Sequence, residues 1–231
     1  MKNKILAGIL LTFMVAGCSN KEKPTLPKTN NILLDLIKDS SADLKWFNEA
    51  KSFSIEDNSL TVIAEKGTDF FNNPEDGSIT STAPFFYKQV NGDFVAKALV
   101  RPDFSSIWNA VAIMVHIDDN HWIKFAFENS DATGQSIVSV VTKKVSDDAN
   151  GVVLTRQDEV WLKLIRKDNI YSMLWSLDDT AYKMARLTAM PSADSVKIGI
   201  EAQCPVGETA AHQVHYFGIE KKTVQDLRKG E

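Results

Sequence analysis

One predicted β-strand carries three side chains that can bind a polar ligand. In the run 122–128, Trp122, Lys124 and Glu128 fall on alternate positions, and successive side chains of a strand point to opposite faces. An indole can stack on a ligand, an ammonium can donate hydrogen bonds, and a carboxylate can accept them. The opposite face is apolar and belongs in a core, since it carries Ile123, Phe125 and Phe127.

The preceding run adds a histidine and small residues to the same face. Residues 110–117 alternate in the same way, and the turn at 118–121 predicts a hairpin whose two faces coincide. His116 then lies on the face of Trp122, and the residues between them are small: Ala110, Ala112 and Ala126. Small residues leave room for a ligand against the sheet. The alternative is a solvent-exposed face with an incidental Lys–Glu pair.

The rest of the chain repeats this short-strand pattern. Runs of five to eight β-branched and aromatic residues are separated by turn signals such as Asn91-Gly92-Asp93, Asn150-Gly151 and Asp178-Asp179. Further strands are predicted at 137–143, 161–167, 171–177, 196–202 and 214–219. This spacing is typical of an all-β sandwich or barrel, and strands of this length suit two packed sheets.

Composition excludes several classes of protein and partner. The chain has 231 residues, of which 44% are hydrophobic, and a net charge of -4. These values indicate a globular chain and exclude a collagen-like or disordered one, and the acidic balance makes nucleic acid an unfavourable partner. The sequence predicts no cofactor, because it contains no phosphate loop or dinucleotide motif. It also predicts no metal site, because one Asp-rich turn seldom supplies the oxygens that Ca²⁺ needs.

The N-terminus has the features of an export signal. Lys2 and Lys4 precede an apolar stretch, and Val15-Ala16-Gly17-Cys18 resembles the bacterial lipobox, in which the cysteine is acylated and the preceding peptide is removed. Lipid on Cys18 would anchor the chain to a membrane, and Ser19 after it implies the outer membrane of the cell envelope. An ordinary secretory signal with a coincidental cysteine is the alternative.

These features predict four segments. Residues 1–17 are the signal peptide and 18–43 the lipidated cysteine and a tether, with a short helical turn at 32–38. Residues 44–220 form the β domain and 221–231 a C-terminal tail. Cys204 then has no partner for an internal disulfide, and we expect it to be a buried small hydrophobic residue.

Seven motifs in order resemble a known family. They are Trp46-Phe47-Asn48-Glu49, Gly67-Thr68-Asp69-Phe70-Phe71, Asn91-Gly92-Asp93-Phe94, Trp122-Ile123-Lys124 with Glu128, Val140-Val141-Thr142, Ser146-Asp147 and Ser176-Leu177-Asp178-Asp179. The chain is similar, from Leu44 to Glu220, to the family of YesU-type and regulation-of-enolase-protein-like domains. The resemblance implies a concanavalin A-like jelly roll, two curved antiparallel sheets whose concave outer face binds carbohydrate in related lectins.

The chain departs from this family at three places. Trp108-Asn109-Ala110 stands where the family commonly has Tyr-Asp-Gln, Asp147-Asp148-Ala149 where Asp-Trp-Ser is usual, and Phe71 where Trp is usual. Polar or stacking positions are altered at each place. The resemblance therefore implies a variant of any ligand that the family shares, or its loss.

The first functional hypothesis is a lectin-like lipoprotein that binds a glycan on this face. Trp122 would stack on a sugar ring, Lys124 and Glu128 would pair with its hydroxyls, and His116 would add a polar contact. Three further residues would lie at the rim: Asp69, Ser146 and Asp147. Turn chemistry is the alternative role for the two aspartates.

Two other functions remain open. A glycoside hydrolase needs two suitably spaced carboxylates, and the strand of Glu128 carries no second one, although Glu201 on another strand is a candidate partner. The sequence thus favours a binding module over an enzyme. A protein-interaction scaffold at the cell surface is the third hypothesis.

Overall fold

The fold consists almost entirely of β-strands. The computed structural model describes residues 30–38 and 43–231, and the export signal and Cys18 lie outside these residues. The elements are α1 (Ile32–Lys38), β1 (Leu44–Phe47), β2 (Ser52–Glu56), β3 (Ser59–Glu65), β4 (Phe70–Asn72), β5 (Ile79–Ser81), β6 (Phe85–Asn91), β7 (Phe94–Arg101), β8 (Ala110–Asp118), β9 (His121–Ser130), β10 (Gly134–Lys143), β11 (Val145–Val153), β12 (Val160–Lys167), β13 (Ile170–Ser176), β14 (Lys183–Ala189), β15 (Ser195–Gln203) and β16 (Thr209–Glu220). Within the described ranges, no helix is long and apolar enough to cross a membrane.

Fourteen of the strands form two seven-stranded antiparallel sheets. Sheet A has the order β1-β6-β15-β8-β9-β10-β11, and sheet B the order β14-β13-β12-β7-β16-β3-β2. The remaining strands, β4 and β5, pair with each other as a hairpin. This arrangement confirms the predicted all-β jelly-roll sandwich.

The core lies between the two sheets. The apolar alternate residues of β8 and β9, including Val111 and Phe125, are fully buried there. Leu162 and Leu164 of β12 belong to the same apolar cluster from sheet B. The predicted parity of both strands is therefore confirmed. The face of β9 that carries Lys124 is the outer face of sheet A.

The hairpin β8–β9 has the predicted register on this outer face. Ala112 pairs with Ala126, and His116 pairs with Trp122. Ala110, Ala112 and Ala126 form a small buried cluster of their own. The faces of the two strands coincide, as the turn between them predicted.

A second hairpin covers part of this outer face. We call residues 66–84, which contain β4 and β5, the covering segment. Phe70 of this segment packs edge-on against Trp122, with ring centroids 6.0 Å apart. The backbone N–H of Asn72 donates to Ser146 Oγ at 2.9 Å, which ties the segment to the edge of sheet A. Part of the face that the sequence left open is therefore covered by a segment distant in the chain, since Asn72 and Ser146 are 74 residues apart.

The predicted turn at Asn150-Gly151 is wrong. Both residues lie inside β11, and the chain reverses instead at Lys144, whose φ of 70° is in the left-handed region. A Cβ on Gly151 would lie 2.8 Å from the carbonyl oxygen of Ile137, so the strand needs glycine for close approach rather than for a turn.

The ends of the described chain pack on the sandwich. The predicted helical turn is present as α1, and its Leu33 is fully buried in the core between the sheets. After β16, Val224 is buried against Ile165 and Leu174 on the outer face of sheet B. Residues on both sides of the predicted β domain thus contribute to its apolar packing.

The covering segment depends on Phe70. We expect Phe70→Ala to lower the free energy of unfolding by about 3 to 5 kcal/mol and to expose Trp122, because the ring fills a site walled by aromatic side chains. Urea denaturation measures the first effect, and a red shift of tryptophan emission measures the second. Ile79→Ala in the same hairpin is the matched control: Ile79 is 69% exposed, and its loss should cost less than about 0.5 kcal/mol. Equal costs for the two variants would contradict this role of Phe70.

Candidate functional site

A cavity remains where the covering segment ends. It has a volume of about 530 Å³ and lies between that segment, the loop before β8 and the outer face of sheet A. Its lining residues are Asp69, Phe71, Asn73, Pro74, Glu75, Trp108, Lys124, Glu128, Asp131, Val140, Asp148 and Gln203. Another hollow, of about 630 Å³, lies next to Arg101 and Asp158 and contains none of the predicted site residues.

Lys124 joins the covering segment to the sheet. Its buried Nζ donates to Asp69 Oδ1 at 2.7 Å, to the carbonyl oxygen of Phe70 at 3.0 Å and to Gln203 Oε1 at 2.5 Å. Burial alone would lower the pKa of Lys124, but the nearby carboxylates, Asp69 first, raise it above its ordinary value. The ammonium stays charged, and its three protons are all used inside the protein.

Glu128 lines the cavity without a hydrogen-bond partner. Its side chain is only 6% exposed, and none of the side-chain hydrogen bonds found among residues 30–38 and 43–231 involves it. Burial raises the pKa of Glu128 to about 8; Lys124 opposes this shift, and the carboxylates of Asp148 and Asp69 reinforce it. At neutral pH the carboxyl group is therefore largely protonated and has a proton to donate.

Glu201 is a second buried carboxyl group on the same face. It pairs with Ala112 of β8 while Glu128 pairs with Ala110, so the two acids lie two strands apart. Both of its oxygens are buried without a hydrogen-bond partner among the described residues, and burial raises the pKa of Glu201 to about 8. Glu201 does not line the cavity. The acid that the sequence suggested as a partner is thus on the right face but beneath the surface.

Trp108 supplies the aromatic wall that sequence reasoning missed. It is 39% exposed, lines the cavity and has a φ of 63°. That left-handed conformation is rare for a bulky residue and persists where surrounding contacts impose it. Here the backbone of Trp108 donates to Asn129 at 2.7 Å and accepts a hydrogen bond from Gln203 at 2.8 Å. The only signal in the sequence was the departure from the family at this position.

Trp122 and His116 do not reach the cavity. Trp122 is 2% exposed beneath Phe70, so it presents no open face for stacking, contrary to the expectation from strand parity. His116 is also buried, with its ring 5.1 Å from that of Phe47. Burial, assisted by Lys197, lowers the pKa of His116 to about 4. Phe70 of the covering segment covers Trp122, and the same residue together with Phe47 of β1 packs against His116.

Ser146 and Asp147 have contacts within the protein. Ser146 Oγ lies 2.8 Å from Thr142 Oγ1 as well as binding the covering segment. Asp147 forms an ion pair with Arg186 at 2.7 Å, and it is the next residue, Asp148, that lines the cavity. Of the seven predicted binding residues, the structure brings together Asp69, Lys124 and Glu128. Their binding of a ligand stays a prediction.

Neither a metal centre nor a reactive thiol emerges from the described part of the chain. No group of three or more His, Cys, Asp or Glu side chains there is arranged to hold a metal ion. Cys204 is fully buried with Ala64 and Ala210, and burial raises the pKa of its thiol. A protonated, inaccessible thiol is a poor nucleophile, which agrees with the expected packing role.

The buried Glu201 makes stability depend on pH. Its carboxyl group has a pKa of about 8 in the folded chain and an ordinary value of 4.5, so folding becomes less favourable as pH rises between these values. Glu201→Gln replaces the carboxyl group by an amide that does not titrate between these pH values. We expect its free energy of unfolding, relative to the unmodified chain, to increase by about 2 kcal/mol or more between pH 5 and pH 8.

Urea denaturation at several pH values measures this difference. Glu208→Gln is the matched control, because the Glu208 side chain is exposed and, within residues 30–38 and 43–231, forms an ion pair only with Lys66. A difference between Glu201→Gln and the unmodified chain that stays constant with pH would contradict the argument.

The chain is similar in sequence and in fold to proteins from yeast. Regulation of enolase protein 1 from Saccharomyces cerevisiae is 28% identical over 160 residues, which are 69% of this chain and 80% of the yeast protein. A solved structure described as a functionally unknown protein from Saccharomyces cerevisiae superposes with a TM-score of 0.74 at 24% identity, covering 79% of this chain and 98% of that one.

Two more distant solved structures share the fold. The GH43 protein BlXynB from Bacillus licheniformis has a TM-score of 0.66 at 12% identity, over 88% of this chain but only 41% of that one. The carbohydrate recognition domain of Emp46p has a TM-score of 0.51 at 9% identity, over 79% and 90% of the two chains. At such identities the likeness concerns the fold alone.

The sequence profile of one family covers most of the domain. That family is described as "Protein of unknown function (DUF1349)", and the match extends over residues 46–222, from β1 to just beyond β16. It thus includes both sheets, the covering segment and every residue of the cavity. The chain belongs to this family.

Proposed function

We propose that the protein binds a carbohydrate in the cavity beside the covering segment. The observation that carries the proposal is Trp108, a half-exposed indole held in a strained conformation at the wall of a cavity whose floor is polar. Sugar rings combine apolar C–H faces with hydroxyl groups, so they need an aromatic surface and hydrogen-bonding groups side by side.

The cavity provides both kinds of surface. Trp108 and Phe71 line it with aromatic rings, and Glu128, Asp148 and Gln203 line it with polar groups. Its volume of about 530 Å³ lies within the usual range for small-ligand sites, about 300 to 1,000 Å³. The unpaired carboxyl group of Glu128 would gain a partner in a ligand hydroxyl, which would compensate for its burial.

The comparisons support a carbohydrate ligand without establishing one. One neighbour in fold is named as a carbohydrate recognition domain, and another as a GH43 protein. Each likeness concerns the sandwich rather than the site. The proposal therefore rests on the cavity and not on these names.

Replacement of Trp108 tests the proposal. We expect Trp108→Ala to weaken glycan binding at least about tenfold, because a stacking surface is lost. Glu128→Gln should also weaken it, since an amide alters the hydrogen bonds of the carboxyl group. Glycan-array screening followed by calorimetry measures the change. Ile107→Ala is the matched control, because Ile107 is 45% exposed beside Trp108 but does not line the cavity.

The same experiment separates binding from hydrolysis. Release of reducing ends from the bound glycan that disappears in Glu128→Gln would indicate a glycoside hydrolase with Glu128 as the general acid. No signal for any glycan at millimolar concentration would contradict the proposal. It would then favour the protein-interaction hypothesis, which pull-down from membranes can examine.

We further propose that lipid on Cys18 anchors the protein in the cell envelope, at the outer membrane. The support is the sequence Val15-Ala16-Gly17-Cys18 after a basic and apolar leader. Metabolic labelling with a fatty acid should mark the unmodified chain, and Cys18→Ala should abolish both the label and membrane fractionation. Cys204→Ala is the control that should keep both, and equal labelling of the two variants would contradict the anchor.

A further inference from the structure

The cavity contains many carboxyl groups and no available cation. Among the described residues that line it, five are acidic, namely Asp69, Glu75, Glu128, Asp131 and Asp148, and Lys124 is the one basic residue. All three protons of Lys124 already bind Asp69, Phe70 and Gln203. An acidic ligand would therefore meet carboxylates and find no free positive charge.

Two of these carboxylates lack a counter-charge. Asp131 and Asp148 take part in none of the ion pairs found in residues 30–38 and 43–231, whereas their neighbour Asp147 is paired with Arg186. Burial is the main cause that raises the pKa of Asp148; Lys124 opposes this shift, and the charge of Asp131 adds to it. The cavity therefore has a negative field that a bound cation would relieve.

Glu128 is a further group in this cavity that a ligand can bind. Its carboxyl group is more than nine-tenths buried, lines the cavity and has no hydrogen-bond partner among the described residues. At neutral pH this group is largely protonated, and its carbonyl oxygen can still accept a hydrogen bond from a charged donor on a ligand. The face of the Trp108 indole, at the same cavity, also attracts a cation.

From these contacts we infer that the bound saccharide carries a free, positively charged amine, as an amino sugar does. The inference rests on the proposed carbohydrate site and specifies the class of its ligand. The ammonium pairs with the carboxylate of Asp148 and donates a hydrogen bond to the carbonyl oxygen of the protonated Glu128 side chain, while the sugar ring lies on Trp108. Uronic acids are rejected because their carboxylate meets the acidic lining, and neutral sugars bind without the ionic contribution.

Four oligosaccharides of similar size test this inference on the full chain. The tetramers of chitosan, chitin and cellulose share one β-1,4-linked backbone and differ at C2, where they carry an amine, an acetamide or a hydroxyl group. A galacturonic acid tetramer supplies the acidic case. We expect calorimetry at pH 6 to give at least about tenfold tighter binding of the chitosan tetramer than of the cellulose tetramer, weakened by added salt.

A pair of adjacent variants separates a specific site from general charge. Asp148→Asn should reduce the preference for the amine severalfold, whereas Asp147→Asn, which removes the same charge outside the cavity lining, should leave it unchanged. An equal effect of the two aspartate variants would overturn the inference, because it would indicate nonspecific attraction to the protein surface.

The outcomes also distinguish the inference from the proposal beneath it. Equal or tighter binding of the neutral or acidic tetramer, or no binding of the chitosan tetramer, would overturn the inference that the ligand carries an amine. The carbohydrate site would still stand. The carbohydrate site itself fails only when the whole glycan panel gives no signal.

Discussion

The buried ammonium of Lys124 is the contact on which the candidate site depends. Transfer of a charged amine from water to the interior costs several kcal/mol, and only good partners offset that cost. Here three partners come from two elements: Asp69 and the Phe70 carbonyl on the covering segment, and Gln203 at the end of β15. Gln203 in turn donates to the backbone of Trp108. One charge thus holds the covering segment against the end of β15 and, through Gln203, against the backbone of Trp108.

This contact also decides which aromatic residue is accessible. With Asp69 and Phe70 held over sheet A, Trp122 becomes part of an apolar cluster with Phe70 and Phe85. The accessible indole is that of Trp108, which precedes β8 and lies beyond the covered area. The result is a confined cavity with a buried acid at its wall rather than a long open groove. Confinement raises the energetic importance of each charge, because water screens it less.

Much of the fold could be predicted from residue patterns, but the site could be predicted only in part. Alternation in β8 and β9 correctly separates the core face from the face of Lys124 and Glu128, because side-chain direction in a strand is a local property. The covering segment is not local: Asp69 meets Lys124 across 55 residues, and no periodicity reports such a contact. The turn predicted at Gly151 is wrong for a similar reason, because the glycine is required there by the close approach of a neighbouring strand. Trp108 was missed because its importance comes from a backbone conformation that no residue pattern encodes.

The docking of α1 has a consequence for distance. Leu33 packs in the core, so the sandwich begins close to Asn31. If lipid on Cys18 anchors the domain, as proposed, only the residues between Cys18 and Asn31 connect the domain to the membrane. The thirteen Cα–Cα steps from Cys18 to Asn31 span at most about 45 Å when fully extended. A compact domain of this size has a diameter of roughly 40 Å, which is comparable to this length. Any polymer that enters the cavity must therefore come within roughly one domain diameter of the bilayer surface, so the protein would sample the layer next to the membrane and not the wider surroundings.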